Sequence, residues 1–131
     1  MKRALWVPLG IILVCVIAVG AVAACAREGK NIHVDLSWSG KQVEMARGDS
    51  LVVTLPSDAR TGYSWSSWVS DDNILQQSEH EYIGQVGVGG KEIWTFKALT
   101  DGPCTIEMEY RLPQEEDATP AQRFDLTVDV Q

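Results

Sequence analysis

Asp49-Ser-Leu-Val-Val-Thr-Leu-Pro-Ser-Asp-Ala-Arg-Thr-Gly-Tyr-Ser-Trp-Ser-Ser-Trp68 joins two strand patterns through a short loop. Leu51, Val53 and Leu55 fall on one phase and polar or β-branched residues on the other, the period of a half-buried strand. Tyr63, Trp65 and Trp68 supply an aromatic strand of the kind that anchors a sheet. Between them, Pro56 opens the turn and Gly62 closes it. A loop held at both ends by buried strands is stiff enough to be pushed into another molecule. This stretch is therefore expected to be the working edge of the protein.

The same two-residue period recurs on both sides. Ile32, Val34, Leu36 and Trp38 alternate with His33, Asp35 and Ser37 before a turn at Ser39-Gly40. Val43 and Met45 continue beyond it, up to the turn Arg47-Gly48-Asp49. Ile74 to Gln85 reads as an irregular strand, and Gly87-Val88-Gly89-Gly90 as a loop, since so many glycines carry a high entropic cost inside an element. Trp94, Phe96 and Ala98, then Cys104, Ile106, Met108 and Tyr110, then Phe124, Leu126, Val128 and Val130 mark three more inward-facing rows. Leu112 to Pro120 is a long polar loop between the last two. Many short strands with Gly/Pro turns predict an all-β, immunoglobulin-like antiparallel β-sandwich.

The first segment stands apart. Met1-Lys-Arg3 is basic, and Ala4 to Ala26 carries no charge. A basic head, an apolar middle and small residues before a cut site describe a secretory leader. Left uncut, the run could span a bilayer, for which about 20 residues suffice. Val22-Ala23-Ala24-Cys25 resembles the lipobox of bacterial lipoproteins, which implies that Cys25 is lipidated and becomes the first mature residue. Residues 1–24 are thus expected to be a signal peptide or signal-anchor, 25–30 a tether and 31–131 the sandwich domain. The expected location is extracytoplasmic and membrane-anchored, in a bacterial cell envelope. The net charge of −7 becomes more negative once Lys2 and Arg3 are lost, which argues against nucleic acid and leaves membrane attachment to the anchor.

Nothing in the chain forms a catalytic or metal-binding signature. His33 and His80 lie far apart, outside any metal-ligand spacing, and read as exposed and unemployed. Cys104 sits on the apolar phase of its strand, where a thiol behaves as a small hydrophobe. Ser64, Ser66 and Ser67 lack a nucleophile elbow, and Glu115-Glu116-Asp117 lacks the spacing of a calcium loop. With one cysteine in the domain a disulfide framework is excluded, so a core must stabilise it. Neither an enzyme nor a cofactor is expected.

Three unusual loops remain, at Ser57–Gly62, Gly87–Gly90 and Leu112–Pro120, spaced so that they can share one end of a sandwich. Singly, each reads as a connector. Together they resemble the chagasin family of cysteine peptidase inhibitors, which block papain-fold enzymes. The family's first motif, Asn-Pro-Thr-Thr-Gly-Tyr-x-Trp, is matched by Asp58-Ala59-Arg60-Thr61-Gly62-Tyr63-Ser64-Trp65, with the Thr-Gly-Tyr-x-Trp half kept. Its Gly-x-Gly-Gly motif appears as Gly87-Val88-Gly89-Gly90. Its Arg-Pro-Trp-Glu motif is reduced in Leu112-Pro113-Gln114-Glu115 to Pro113 and Glu115.

The resemblance implies that the first loop enters a peptidase cleft with Thr61 and Gly62 nearest the enzyme's catalytic pair. The other two loops would grip the walls. Tyr63 and Trp65 would pin the loop from below, the Thr61 hydroxyl can hydrogen-bond, and Arg60, in place of a small residue, adds a charge to the wedge. Gln114 offers none of the area of the family's Trp, and losing an aromatic hot spot typically costs about 2 kcal/mol or more. An inhibitor weaker or narrower in range is expected, unless Trp68 or Arg60 compensates. The expected partner is a papain-like cysteine peptidase, met by a monomer. A tethered module whose loops recognise a non-peptidase protein or glycan is the alternative, and an envelope protein without a ligand the plainest reading.

Overall fold

The computed structural model describes residues 28–85, 87–115 and 117–131. The segment expected to be a leader, with Cys15 and Cys25, and the first residues of the expected tether lie outside them. Eight strands follow in order: β1 (Asn31–Asp35), β2 (Gln42–Met45), β3 (Ser50–Ser57), β4 (Ser64–Val69), β5 (Leu75–Gln85), β6 (Gly89–Ala98), β7 (Gly102–Arg111) and β8 (Gln122–Val130). They form two four-stranded sheets, β1-β3-β6-β5 and β2-β8-β7-β4. The inward rows of both meet in one core that includes Leu51, Val53, Leu55, Phe96, Ile106, Met108, Phe124 and Leu126, all buried. The all-β, immunoglobulin-like sandwich expected from the periodicity is the fold observed.

Both sheets are mixed rather than purely antiparallel. β1 runs parallel to β3, and β2 parallel to β8. Alternation tells a strand which face to bury and carries no information on the direction of its neighbour. The chain crosses from one sheet to the other between β1 and β2, and each of these strands lands on an outer edge. The crossing is made where a continued strand was expected. Leu36–Trp38 is a single 3-10 turn, because the Asp35 carboxylate accepts the Ser37 N–H at 3.0 Å and also the Ser37 hydroxyl, drawing the backbone out of the ladder.

The irregular strand expected over Ile74 to Gln85 is β5, its irregularity one register shift between Gln77 and Glu79. Two further expectations are corrected. Gly89 and Gly90 do not lie in a loop; they open β6, with Gly90 paired to Ser57 and Gly84. Trp68 is not one of the aromatic anchors of its sheet. An odd spacing on a strand reverses the side chain, so Trp65 is buried while Trp68 is 52% exposed on the outer face.

The described ends of the chain meet at one pole. Lys30 N–H donates to the buried Asp49 carboxylate at 3.0 Å, and Gln131 N–H donates to the Met45 carbonyl at 2.9 Å. Asp49 itself closes the Ala46–Asp49 turn, accepting the Ala46 N–H at 3.0 Å. Lys30, placed in the tether by its sequence, is thus already fastened to the domain.

Candidate functional site

Strand registers bring the three loops to the opposite pole. The last residue of β3, Ser57, pairs with Gly90 at the start of β6. In the other sheet Ser64, first in β4, pairs with Arg111, last in β7. Tyr110 pairs with Gln122, first in β8. The loop between β3 and β4 therefore passes from one sheet to the other. The Gly87-Val88 turn stands on one side of it and the 112–121 loop on the other.

The first loop is a hydrogen-bonded finger. Ala59–Thr61 makes a 3-10 turn capped by Asp58, which accepts the Arg60 N–H at 3.0 Å. The Asp58 carbonyl accepts the Thr61 N–H at 3.1 Å and its hydroxyl at 2.7 Å. That hydroxyl in turn accepts the Tyr63 N–H at 3.2 Å. Thr61 thus spends its hydroxyl on hydrogen bonds inside the finger. Arg60 is engaged as well: its guanidinium donates to both Asp58 carboxylate oxygens, at 2.8 and 2.7 Å. The Arg60 hydrogen bonds, reinforced by its charge, hold the Asp58 carboxyl below the usual range and push the guanidinium value up. The finger therefore presents a neutralised pair rather than a bare cation.

Gly62 ends the turn with φ +80°. A Cβ there would be strained by that angle and would also meet Leu112 Cδ2 at 3.3 Å. Leu112, expected to grip a partner, is half-buried and backs the finger instead. Beneath the finger Tyr110 stacks obliquely on both Tyr63 and Trp65, with centroids 5.4 and 5.2 Å apart, and its hydroxyl accepts the Asp58 N–H at 2.9 Å. Trp65 Nε1 donates to the Pro56 carbonyl at 2.9 Å. The pinning role implied for Tyr63 and Trp65 is thus matched by contacts, with Tyr110 as the shared partner.

The deepest support is a residue left out of the apolar rows. Glu92 on β6 is 2% exposed and points into the sandwich. Its carboxylate accepts the Ser57 hydroxyl at 2.7 Å and the Trp65 N–H at 3.0 Å, so one side chain ties together the two strands that carry the finger. His80 Nε2 lies 2.7 Å from its other oxygen, and the His80 ring stacks on Trp94 at 3.7 Å between centroids. His80 is therefore employed, not idle. A charge on an otherwise apolar row, Glu92-x-Trp94-x-Phe96, was the available signal.

Tyr82 braces the other side, its hydroxyl accepting the Ala59 N–H at 3.3 Å. A Cβ on Gly90 would lie 2.8 Å from that hydroxyl and 2.2 Å from the Ile83 carbonyl oxygen. The last glycine of the Gly-x-Gly-Gly run is thus required by the fold itself. Gly89 is buried against the Asp58 side chain. At the rim, Ala59, Arg60, Thr61, Gly62, Gly87, Val88, Pro113, Gln114 and Glu115 are exposed, Val88 at 74%. Asp58 and Tyr63 are half-buried at the base.

The comparisons agree with this architecture. The Chagasin family peptidase inhibitor I42 matches residues 44–128, from β2 to β8. Among solved structures the chain is similar to the cysteine protease inhibitor EhICP2 from Entamoeba histolytica. The identity is 16% and the TM-score 0.72, covering 81% of this chain and 100% of that one. It is similar to amebosin at 25% identity and a TM-score of 0.65, covering 79% and 100%. A third likeness is PbICP-C, solved in complex with falcipain-2, at 14% identity and a TM-score of 0.53, covering 81% and 93%. A comparison with curated protein sequences found no match. A family match across seven of the eight strands, on a sandwich of this shape, makes the chain a member of the chagasin family of peptidase inhibitors, proteins that act on enzymes and are not enzymes themselves.

Proposed function

We propose that this chain is a reversible, loop-mediated inhibitor of papain-like cysteine peptidases, held outside the cytoplasm by its N-terminal segment. The observation that carries the reading is the self-locked finger, set between two flanking loops at one pole. A peptidase cleaves a chain laid out in extended form across its catalytic pair. The finger's backbone from Asp58 to Gly62 is a 3-10 turn whose Asp58 and Ala59 carbonyls already accept the Thr61 and Gly62 N–H groups. It can fill a cleft without offering an extended peptide to attack. Because the turn is ordered before docking, little entropy is lost on binding.

Exposed Val88 on one side and Pro113, Gln114 and Glu115 on the other would meet the two walls of the cleft. Gln114 in place of an aromatic residue makes this wall contact weaker at the loop tip. The anchor, proposed at Cys25, would fasten the pole that carries Lys30 and leave the finger pointing away from the membrane.

The test is titration of the purified chain against a panel of papain-like peptidases, with recovery of activity on dilution. The parent is expected to inhibit at or below micromolar concentration and to release active enzyme. Gly62→Arg, strained in its backbone and bulky at the tip, is expected to abolish inhibition. A parent that inhibits no member of the panel would overturn the reading.

A further inference from the structure

We infer that the trough on the outer face of β4, between Pro113 and Trp68, is a second docking site for the same peptidase; this rests on the function proposed above. The outward residues of β4 are Ser64, Ser66 and Trp68. Two small side chains followed by a large one leave a depression of about 460 Å³, floored by the serines and backed by Glu109 and Arg111 of β7. Trp68 closes its far end and Pro113, on the third loop, its near end. β4 is an edge strand, so the trough opens to the side of the molecule.

Its place and its chemistry select the occupant. The near end belongs to the loop assigned to one wall of the cleft, and Ser64 lies two residues past Gly62 in the chain. A peptidase wall gripped by Pro113 would continue directly over the depression. The charges beside it are already paired: Glu109 accepts from Arg111 at 2.8 Å and pairs with Arg123 at 3.5 Å. A charged group entering there would have to compete with pairs already made, whereas the indole and the proline ring offer apolar area at both ends. The trough is therefore suited to an apolar side chain on the peptidase wall. It returns to the interface the aromatic anchor that Gln114 does not supply, moved from the loop tip to the sheet.

The test uses the full chain with Trp68→Ala and Ser66→Arg, the second filling the trough while leaving the indole in place. Both side chains lie outside the core, so thermal midpoints close to the parent's are expected. Both variants are expected to raise Ki at least tenfold through faster dissociation, against whichever peptidases the parent inhibits. Unchanged Ki for both, with Gly62→Arg still inactive, would overturn this inference and leave the proposed function standing. Binding of an envelope glycan by the parent, lost in Trp68→Ala while Ki stays constant, would overturn it too. A parent that inhibits nothing removes both readings together.

Discussion

Asp58 works on both sides of its own α-carbon. Its carbonyl collects Thr61, its carboxylate collects Arg60, and its N–H is held by Tyr110. The carboxyl sits below its ordinary range chiefly through the Arg60 hydrogen bonds. A depressed value means that this contribution is complete above the unfolded-state value and is lost as pH falls through the folded one. Asp58 is accordingly expected to titrate below an ordinary aspartate. Carboxyl chemical shifts followed by NMR should give a midpoint that returns to the ordinary range in Arg60→Ala. A midpoint already ordinary in the parent would mean that the pair does not form in solution. None of this was legible from residue types alone. Arg60 looked like a charge offered to a partner, and an acid two places earlier is too common a neighbour to identify as its lock.

Strands, by contrast, were largely readable, and the reason is mechanical. A sheet that buries one face imposes a period of two on its sequence, and Leu51-Val53-Leu55 or Phe124-Leu126-Val128-Val130 show it without ambiguity. What alternation does not encode is which strand lies alongside, hence the parallel pairs at β1 and β2. It places Glu92 on the inward row of Trp94 and Phe96 but does not say which partners that carboxylate meets. The finger stands on that carboxylate. Glu92→Ala would leave the Trp65 N–H buried without its acceptor and set Ser57 and His80 loose. The loss of one such buried pairing costs about 1–3 kcal/mol. A fall of roughly 5–15 °C in thermal midpoint is expected, with Glu92→Gln falling less because an amide oxygen still accepts. A midpoint within a degree or two of the parent would show that the carboxylate is incidental to the base of the finger.

At the scale of the molecule, the core, the number of strands and the clustering of three loops at one end could all be anticipated. The division of labour within the loops could not. Leu112, Gly89 and Gly90 look like rim residues in sequence, yet they support the finger from behind. The leader's role is tested separately from the sandwich. Cys25→Ser in cells fed labelled palmitate is expected to lose the label. The variant should still inhibit with an unchanged Ki. Retention of label by the variant would place the lipid elsewhere or nowhere. β3 spans the distance from the turn that fastens Lys30 to the base of the finger, about 25 Å for its length. Gln131 leaves beside that same turn. A dye, a bead or a second copy of the domain can therefore be joined ahead of Lys30 or after Gln131 with its bulk kept behind the sandwich, so two such domains fused in series would keep both tips exposed.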